Sequence, residues 1–269
     1  MMDSRDDTPP QTACEAIALT VAYDGSGFSG FARQPGLDTV QGRIETALQT
    51  LSRREILTTG AGRTDAGVHA LGQVVSFDAG FGEFEPERTR RSLDALTGEG
   101  LTIRDVRRAK PGFSARFDAV AREYRYRIVV GSAAPLFLEA FSWHVPHDLD
   151  VDGMAEAARA LVGEHDFRSF CVTGSGIGIR TVRRVDRVDV FREEHLGEEC
   201  LCVRVAGNAF LHSMVRVIVG TLVEVGVGRR EAGWVTEVLA ARDRAASGQT
   251  APARGLVFHS VSYPDDVWL

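Results

Sequence analysis

Apolar and polar positions along this chain fall into two successive runs of the same rhythm. In the first, Ala16 to Tyr23 is apolar and rich in β-formers, and Val40 to Leu51 carries Ile44, Leu48 and Leu51 at helical spacing. Glu55 to Thr59 and Gln73 to Phe77 read as short strands, Pro86 to Leu96 as a helix opened by its proline, and Thr102 to Val106 as a strand. The resulting β-α-β-β-α-β order is the split βαβ, or ferredoxin-like, arrangement. Pro111 and Gly112 then punctuate the chain.

The second run repeats the order. Glu123 to Val130 sets Tyr124, Tyr126 and Ile128 on one face against Arg125 and Arg127 on the other, as a strand with one wet side does. Val151 to Val162 predicts a helix with Met154, Ala158 and Leu161 on one side. Thr181 to Phe191 and Cys200 to Val205 predict strands, Phe210 to Val225 and Ala232 to Ala241 helices, and Val257 to Tyr263 a final strand. The repeat is one of element order and not of residue identity. The division expected is a disordered tail over 1–13, a ferredoxin-like domain over 14–112 and a second over 113–269, an α+β chain. Two such units can join their sheets side by side and leave a groove between them, and RNA can lie across such a sheet.

At 269 residues the chain is long enough for a sizeable core, and its 44% hydrophobic and 25% charged content is that of an ordinary globular protein. The apolar stretch from Met214 to Val227 is interrupted by Arg216 and Glu224 and is too short to span a bilayer. Met1 to Ala13 is polar, with no apolar centre, so a frayed tail and a cytoplasmic address are expected. Cys14, Cys171, Cys200 and Cys202 form no Cys-x-x-Cys pair, and no two histidines stand in a His-x-x-x-His pair; free thiols and no structural metal are the expectation.

A net charge of -6 argues, taken alone, against a nucleic-acid partner. Binding is local, however, and Lys110 is the only lysine, so 30 of the 31 basic residues are arginines. Several cluster, among them Arg63, Arg116, Arg122, Arg125, Arg127, Arg180, Arg183, Arg184 and Arg216. Guanidinium groups hold phosphate bidentately and stack on bases. A codon bias that replaces lysine throughout is the plainer reading of most of the imbalance, and a haloadapted surface a weaker one.

The most informative stretch is Gly60-Ala61-Gly62-Arg63-Thr64-Asp65-Ala66-Gly67-Val68-His69, between two predicted strands. It sets one carboxylate, Asp65, beside Arg63 and among glycines, with no second acid before Asp78. The paired carboxylates that glycoside hydrolysis needs are missing locally. A lone ionised acid on a loop suggests a nucleophile; a glycine-rich turn with a surface ion pair is the plainer reading of the same residues.

The decapeptide, with Ala70-Leu71-Gly72-Gln73-Val74-Val75 after it, resembles the signature of the TruA-type tRNA pseudouridine synthases. Further segments match that family in the same order: Tyr23 to Ser26, Gly30 to Gln34, Phe113 to Phe117, Arg122 to Tyr126, and Asn208 to Arg216. The resemblance runs from about Ala16 to Pro264. It implies a pseudo-symmetric fold in which two ferredoxin-like halves join into one extended, mostly antiparallel sheet, with helices on one side and the active-site groove between the halves. It also implies isomerisation of uridine to pseudouridine in the anticodon arm of tRNA, at positions 38 to 40, by a homodimer without cofactor.

By the same resemblance Asp65 is the nucleophile, Arg216 its ion-pair partner, Tyr124 the tyrosine packed on the target base, and Arg63 a candidate for holding RNA or filling the gap left by an everted base. A free aspartate is already ionised at neutral pH, but a nucleotide closing over it favours the neutral acid, which a buried arginine opposes. Phe117 and Phe210 are candidates for lining the pocket, with core packing the more usual role. For His69 and His212, structural or RNA-contact roles are expected over proton transfer. Phe31-Ala32 stands where many relatives carry Trp-Gln, and Ser114 where they often carry His, which bears on how tRNA is gripped. The rival expectation is a catalytically silent tRNA-binding chaperone of the same fold; hydrolytic base removal lacks a second acid to activate water.

Overall fold

The computed structural model describes residues 15–78, 85–172, 178 and 180–269. The tail expected over 1–13, and Cys14, lie outside them.

Strand β1 (Ala16–Tyr23) is buried at nearly every position. Helix α1 (Val40–Ser52) begins where the Thr39 hydroxyl accepts from the Gly42 amide and stops at Arg53 in the left-handed conformation. Next come β2 (Thr59–Gly60), β3 (His69–Asp78), α2 (Pro86–Thr97) and β4 (Leu101–Ala109). The second half runs β5 (Ala121–Val130), β6 (Trp143–Val145), α3 (Val151–Ala158), β7 (Gly163–Asp166), β8 (Val182–His195), β9 (Glu198–Gly207), α4 (Met214–Gly226), α5 (Trp234–Ala241) and β10 (Leu256–Ser262).

All the strands lie in one mixed, mostly antiparallel sheet of order β4-β1-β3-β10-β5-β9-β8-β7, with β2 on β3 and β6 on β5. The seam between the halves is the short parallel pairing of β10 with β3, Val257 opposite His69 and Phe258 opposite Ala70. β10 is the last strand of the chain, so the C-terminal half supplies the strand that closes onto the N-terminal half. One contiguous apolar core crosses this seam, from Leu19 and Ile44 through Tyr126 and Phe258 to Val217 and Leu222.

The strands β6 and β7 were not expected from the sequence pattern, and several element boundaries differ from it, three of them instructively. The strand expected over Glu55 to Thr59 shrinks to Thr59–Gly60. Side chains of α1 take its ladder bonds: the Thr58 amide donates to Glu45 Oε1 at 3.1 Å, and Gln41 Nε2 donates to the Thr58 carbonyl at 2.9 Å. The helix expected from Phe210 begins at Met214 because Ser213 is left-handed, with φ 56°. The helix expected over Val151 to Val162 tightens after Ala158 into a 3-10 turn that reaches Leu161 and ends before Gly163 at φ 120°. Among the described residues no helix is long and apolar enough to cross a membrane. Cys171, Cys200 and Cys202 are free and buried.

Candidate active site

The loop between β2 and β3 is fixed from both sides. The Ala61 amide donates to the Val74 carbonyl at 2.8 Å, and the fully buried Gln73 amide both donates to the Gly62 carbonyl at 2.8 Å and accepts from the Gly62 amide. The Thr64 carbonyl accepts from the Phe31 amide at 3.0 Å, and its hydroxyl bonds the Tyr23 hydroxyl at 2.8 Å. Phe31 is buried against Gly60, where an added Cβ would lie 2.4 Å from its ring. Gly60 is required by that close approach, and Phe31 and Ala32 also line the cleft described below. With its backbone satisfied, the loop presents Asp65 as one defined side chain.

Asp65 faces the start of α4 across the seam. Arg216 Nη1 donates to Asp65 Oδ2 at 2.7 Å, while Arg216 Nε donates to the Ala251 carbonyl at 2.8 Å. Side-chain exposure is 24% for Asp65 and 18% for Arg216, so the pair is screened but remains reachable. The Ser213 hydroxyl donates to the same Oδ2 at 2.7 Å. His212 Nε2 stands 3.3 Å from Oδ1.

Beside this group Tyr124 is buried between Phe210 and Phe258, edge-on to both at 5.1 and 4.9 Å between ring centres. Its hydroxyl lies above Gly62, where an added Cβ would approach it to 3.4 Å. Burial pushes the Tyr124 phenol well above its ordinary range, with Tyr23 and Asp65 adding to the rise and Arg122 opposing it. Tyr23 is pushed up to about 12 by burial, against the hydrogen bond with Thr64.

Asp65, Tyr124, Phe210, His212, Ser213 and Arg216 line a cleft of about 1000 Å³, a size suited to a nucleotide. Arg63, Arg116 and Arg183 also line it, so arginines far apart in sequence converge on one opening. The Arg63 guanidinium has no ion-pair partner among the described residues. All four residues singled out in the sequence, Asp65, Arg63, Tyr124 and Arg216, thus share this cleft with His212 and Phe210. Phe117 is not among its lining residues and stands 77% exposed, with Arg116 over its ring at 5.4 Å. Ser114 closes the adjoining turn, its amide donating to Asp118 at 2.8 Å.

His69 is elsewhere and structural. Its Nε2 contacts the carbonyls of Ala140 and Arg254, both at 3.1 Å, and its Nδ1 accepts from the Gly25 amide at 3.1 Å. Burial holds its imidazole below the ordinary range, against the pull of Asp24.

Two residues of the site were not given their roles by the sequence pattern. Arg122 is 8% exposed and donates to the carbonyls of Ala61, Arg116 and Asn208 at 3.0, 2.6 and 2.5 Å. It precedes the strand expected from Glu123, so the sequence pattern gave it no face, and nothing local marked its carbonyl partners. Ser213, placed by the sequence pattern inside a helix from Phe210, instead precedes α4, makes no cap bond and donates to Asp65. The group of described side chains best placed to hold a metal, Glu193, His195 and Cys200, lies away from the cleft, and Arg127 Nε already occupies Glu193 Oε1 at 2.9 Å.

Comparison with known proteins places the chain in a family. The family model described as tRNA pseudouridine synthase matches residues 19–118 and 157–264. The tRNA pseudouridine synthase A of Geobacillus sp. (strain WCH70) is 41% identical over 248 residues, covering 92% of this chain and 98% of that protein. Its counterpart from Brevibacillus brevis is 46% identical over 247 residues, covering 92% and 99%, and that of Thermotoga sp. (strain RQ2) 40% identical over 247 residues with the same coverage.

Proposed function

Since the chain belongs to the tRNA pseudouridine synthase A family and isomerises uridine to pseudouridine in tRNA, we propose that Asp65 is its nucleophile, acting on uridines 38 to 40 of the anticodon arm. The observation that carries the assignment is a carboxylate facing an arginine-rimmed cleft while its other side is tied to a part-buried arginine from the opposite half. In the reaction the bond from ribose C1′ to uracil N1 breaks and one from C1′ to C5 forms. C5 loses its proton and N1 gains one, so the change is redox-neutral. Attack of the carboxylate on C1′, attack on uracil C6, and removal of a ribose proton each need one carboxylate oxygen with a lone pair directed at the nucleotide.

In this reading Arg216 is the counter-charge that stays with Asp65 once the nucleotide excludes water. Tyr124 packs its ring on the extruded base and offers the substrate its hydroxyl. Arg63 engages the RNA backbone or the gap left in the stack. The stretches 14–112 and 113–269 are two ferredoxin-like halves, a reading supported by the order β10-β5-β9-β8 in one and β4-β1-β3 with a vestigial β2 in the other. The enzyme works in the cytoplasm as a homodimer, each tRNA touching both subunits; light scattering of the native protein at micromolar concentration tests the dimer.

Tritium release from tRNA carrying C5-labelled uridine tests the assignment. Native protein is expected to release the label and Asp65→Asn to release none, with mass spectrometry excluding deamidation of the new side chain. Native protein that binds tRNA but releases no label is a binding or folding factor, and free uracil in the products marks a hydrolase.

A further inference from the structure

Four described residues other than glycine have positive φ: Arg53, Leu196, Ser213 and Arg242. Arg53 and Arg242 end helices, where the left-handed conformation is common. Leu196 sits in the turn between β8 and β9. Ser213 alone begins a helix in this conformation, with φ 56° and ψ 13°. Thr39 and Asp150, which begin α1 and α3, are extended and accept from the backbone amide three residues on. Ser213 makes no such bond, and its hydroxyl donates to Asp65 Oδ2. The helix start therefore adopts a disfavoured backbone and gives up its usual cap in favour of the carboxylate.

The consequence is an asymmetric carboxylate. Oδ2 takes two donors at 2.7 Å, Ser213 from the helix start and Arg216 from its first turn. Oδ1 has the half-exposed His212 at 3.3 Å. The terminal torsion of an aspartate is broad and nearly two-fold, so one donor leaves the group free to swing. Two donors meeting one oxygen from different backbone positions hold it.

We infer that Ser213 is a positioning residue that locks Asp65 with Oδ2 as the anchor and Oδ1 as the oxygen presented to the nucleotide. The inference rests on the reading of Asp65 as nucleophile, and it holds for all three routes, because each uses one open oxygen. The left-handed backbone at Ser213 is what lets its hydroxyl point across the seam.

Steady-state kinetics on tRNA with Ser213→Gly and Ser213→Ala test this. Glycine adopts the left-handed conformation freely, so Ser213→Gly removes the hydroxyl while relaxing the backbone. The expected result is a melting temperature at or above native, KM within about twofold, and kcat lowered about tenfold to a hundredfold, the size of one hydrogen bond to a charged group. Ser213→Ala is expected to lose the same kcat and to melt below Ser213→Gly. Native kcat in Ser213→Gly, or a loss confined to KM, overturns the positioning role. Asp65→Asn assayed alongside separates the two claims: if it turns over at the native rate, the nucleophile reading has failed. If it is inactive and Ser213→Gly is native, only the role of Ser213 has.

Discussion

Replacing Arg122 by methionine keeps a long apolar stem and removes every donor. The native guanidinium is buried, has no carboxylate partner among the described residues, and makes three short bonds to carbonyls at 2.5 to 3.0 Å. Burial holds its pKa below the ordinary guanidinium range, so the bonds offset a real desolvation cost. Hydrogen bonds to a charged group contribute a net of roughly 1.5–3 kcal/mol each, but three made by one guanidinium share a single charge and do not add, so the expected loss is about 2–4 kcal/mol. In a chain of this size the loss lowers the melting temperature by roughly 5–15 °C, measurable by calorimetry. Activity should fall further than stability explains. Ala61 opens the Asp65 loop and Asn208 leads from β9 toward Ser213, so slack at Arg122 lands on both sides of the carboxylate. A misplacement of about 1 Å costs on the order of a hundredfold. At 25 °C, where the variant is still folded, kcat should be at least tenfold below native. An Arg122→Met protein that melts within a degree or two of native and turns over normally refutes the argument.

Arg216→Met should lower kcat about a hundredfold or more, while Arg216→Lys recovers part of it; equal activity across the pH range would remove Arg216 from the site. Tyr124→Phe keeps the ring contacts and deletes a buried hydroxyl, so its melting temperature should stay within about 2 °C of native while kcat drops roughly tenfold or more. Arg63→Ala should weaken tRNA binding, and its plot of log affinity against log salt should be shallower by about one, with no change in melting. For His69 the sign follows from linkage: its folded pKa lies below the unfolded value, so the unfolded chain binds more protons and stability falls as pH drops below about 6.5. His69→Gln should flatten that part of the curve; an unchanged slope would mean that other groups set it.

What the sequence made legible is what depends on neighbours in the chain. The alternation of Tyr124, Tyr126 and Ile128 against Arg125 and Arg127 survives in β5 because one face of that strand packs on the core. Helix α1 formed where Ile44 and Leu48 recur at helical spacing, and both are fully buried. The lone acid among glycines was legible because its loop needs Gly60 for close approach to Phe31. Even the Glu55 to Thr59 strand was a reasonable expectation from composition; it failed because Gln41 and Glu45, on a helix, took the bonds of Thr58.

What stayed hidden is the set of interactions made at long sequence separation. Ser213 and Asp65 are 148 positions apart and Arg216 and Asp65 are 151, so no window of sequence contains both partners. Resemblance supplied Arg216, since a whole motif carries it. It gave Ser213 no role although the same Asn208 to Arg216 segment contains it, because the helix expected from Phe210 made it an ordinary first-turn residue. Arg122 shows the complementary case: the strand expected from Glu123 left it out, and an inward arginine reads as a misplaced charge until its carbonyl partners are known. The net charge of -6 misleads for the same reason. Arg63, Arg116 and Arg183 count singly toward a global sum that acids elsewhere outweigh, while the β10–β3 seam and the loops around it bring them to one opening. Affinity for a phosphate backbone depends on that local field, within a Debye length of about 8 Å at physiological salt, and so on the fold that gathers the charges.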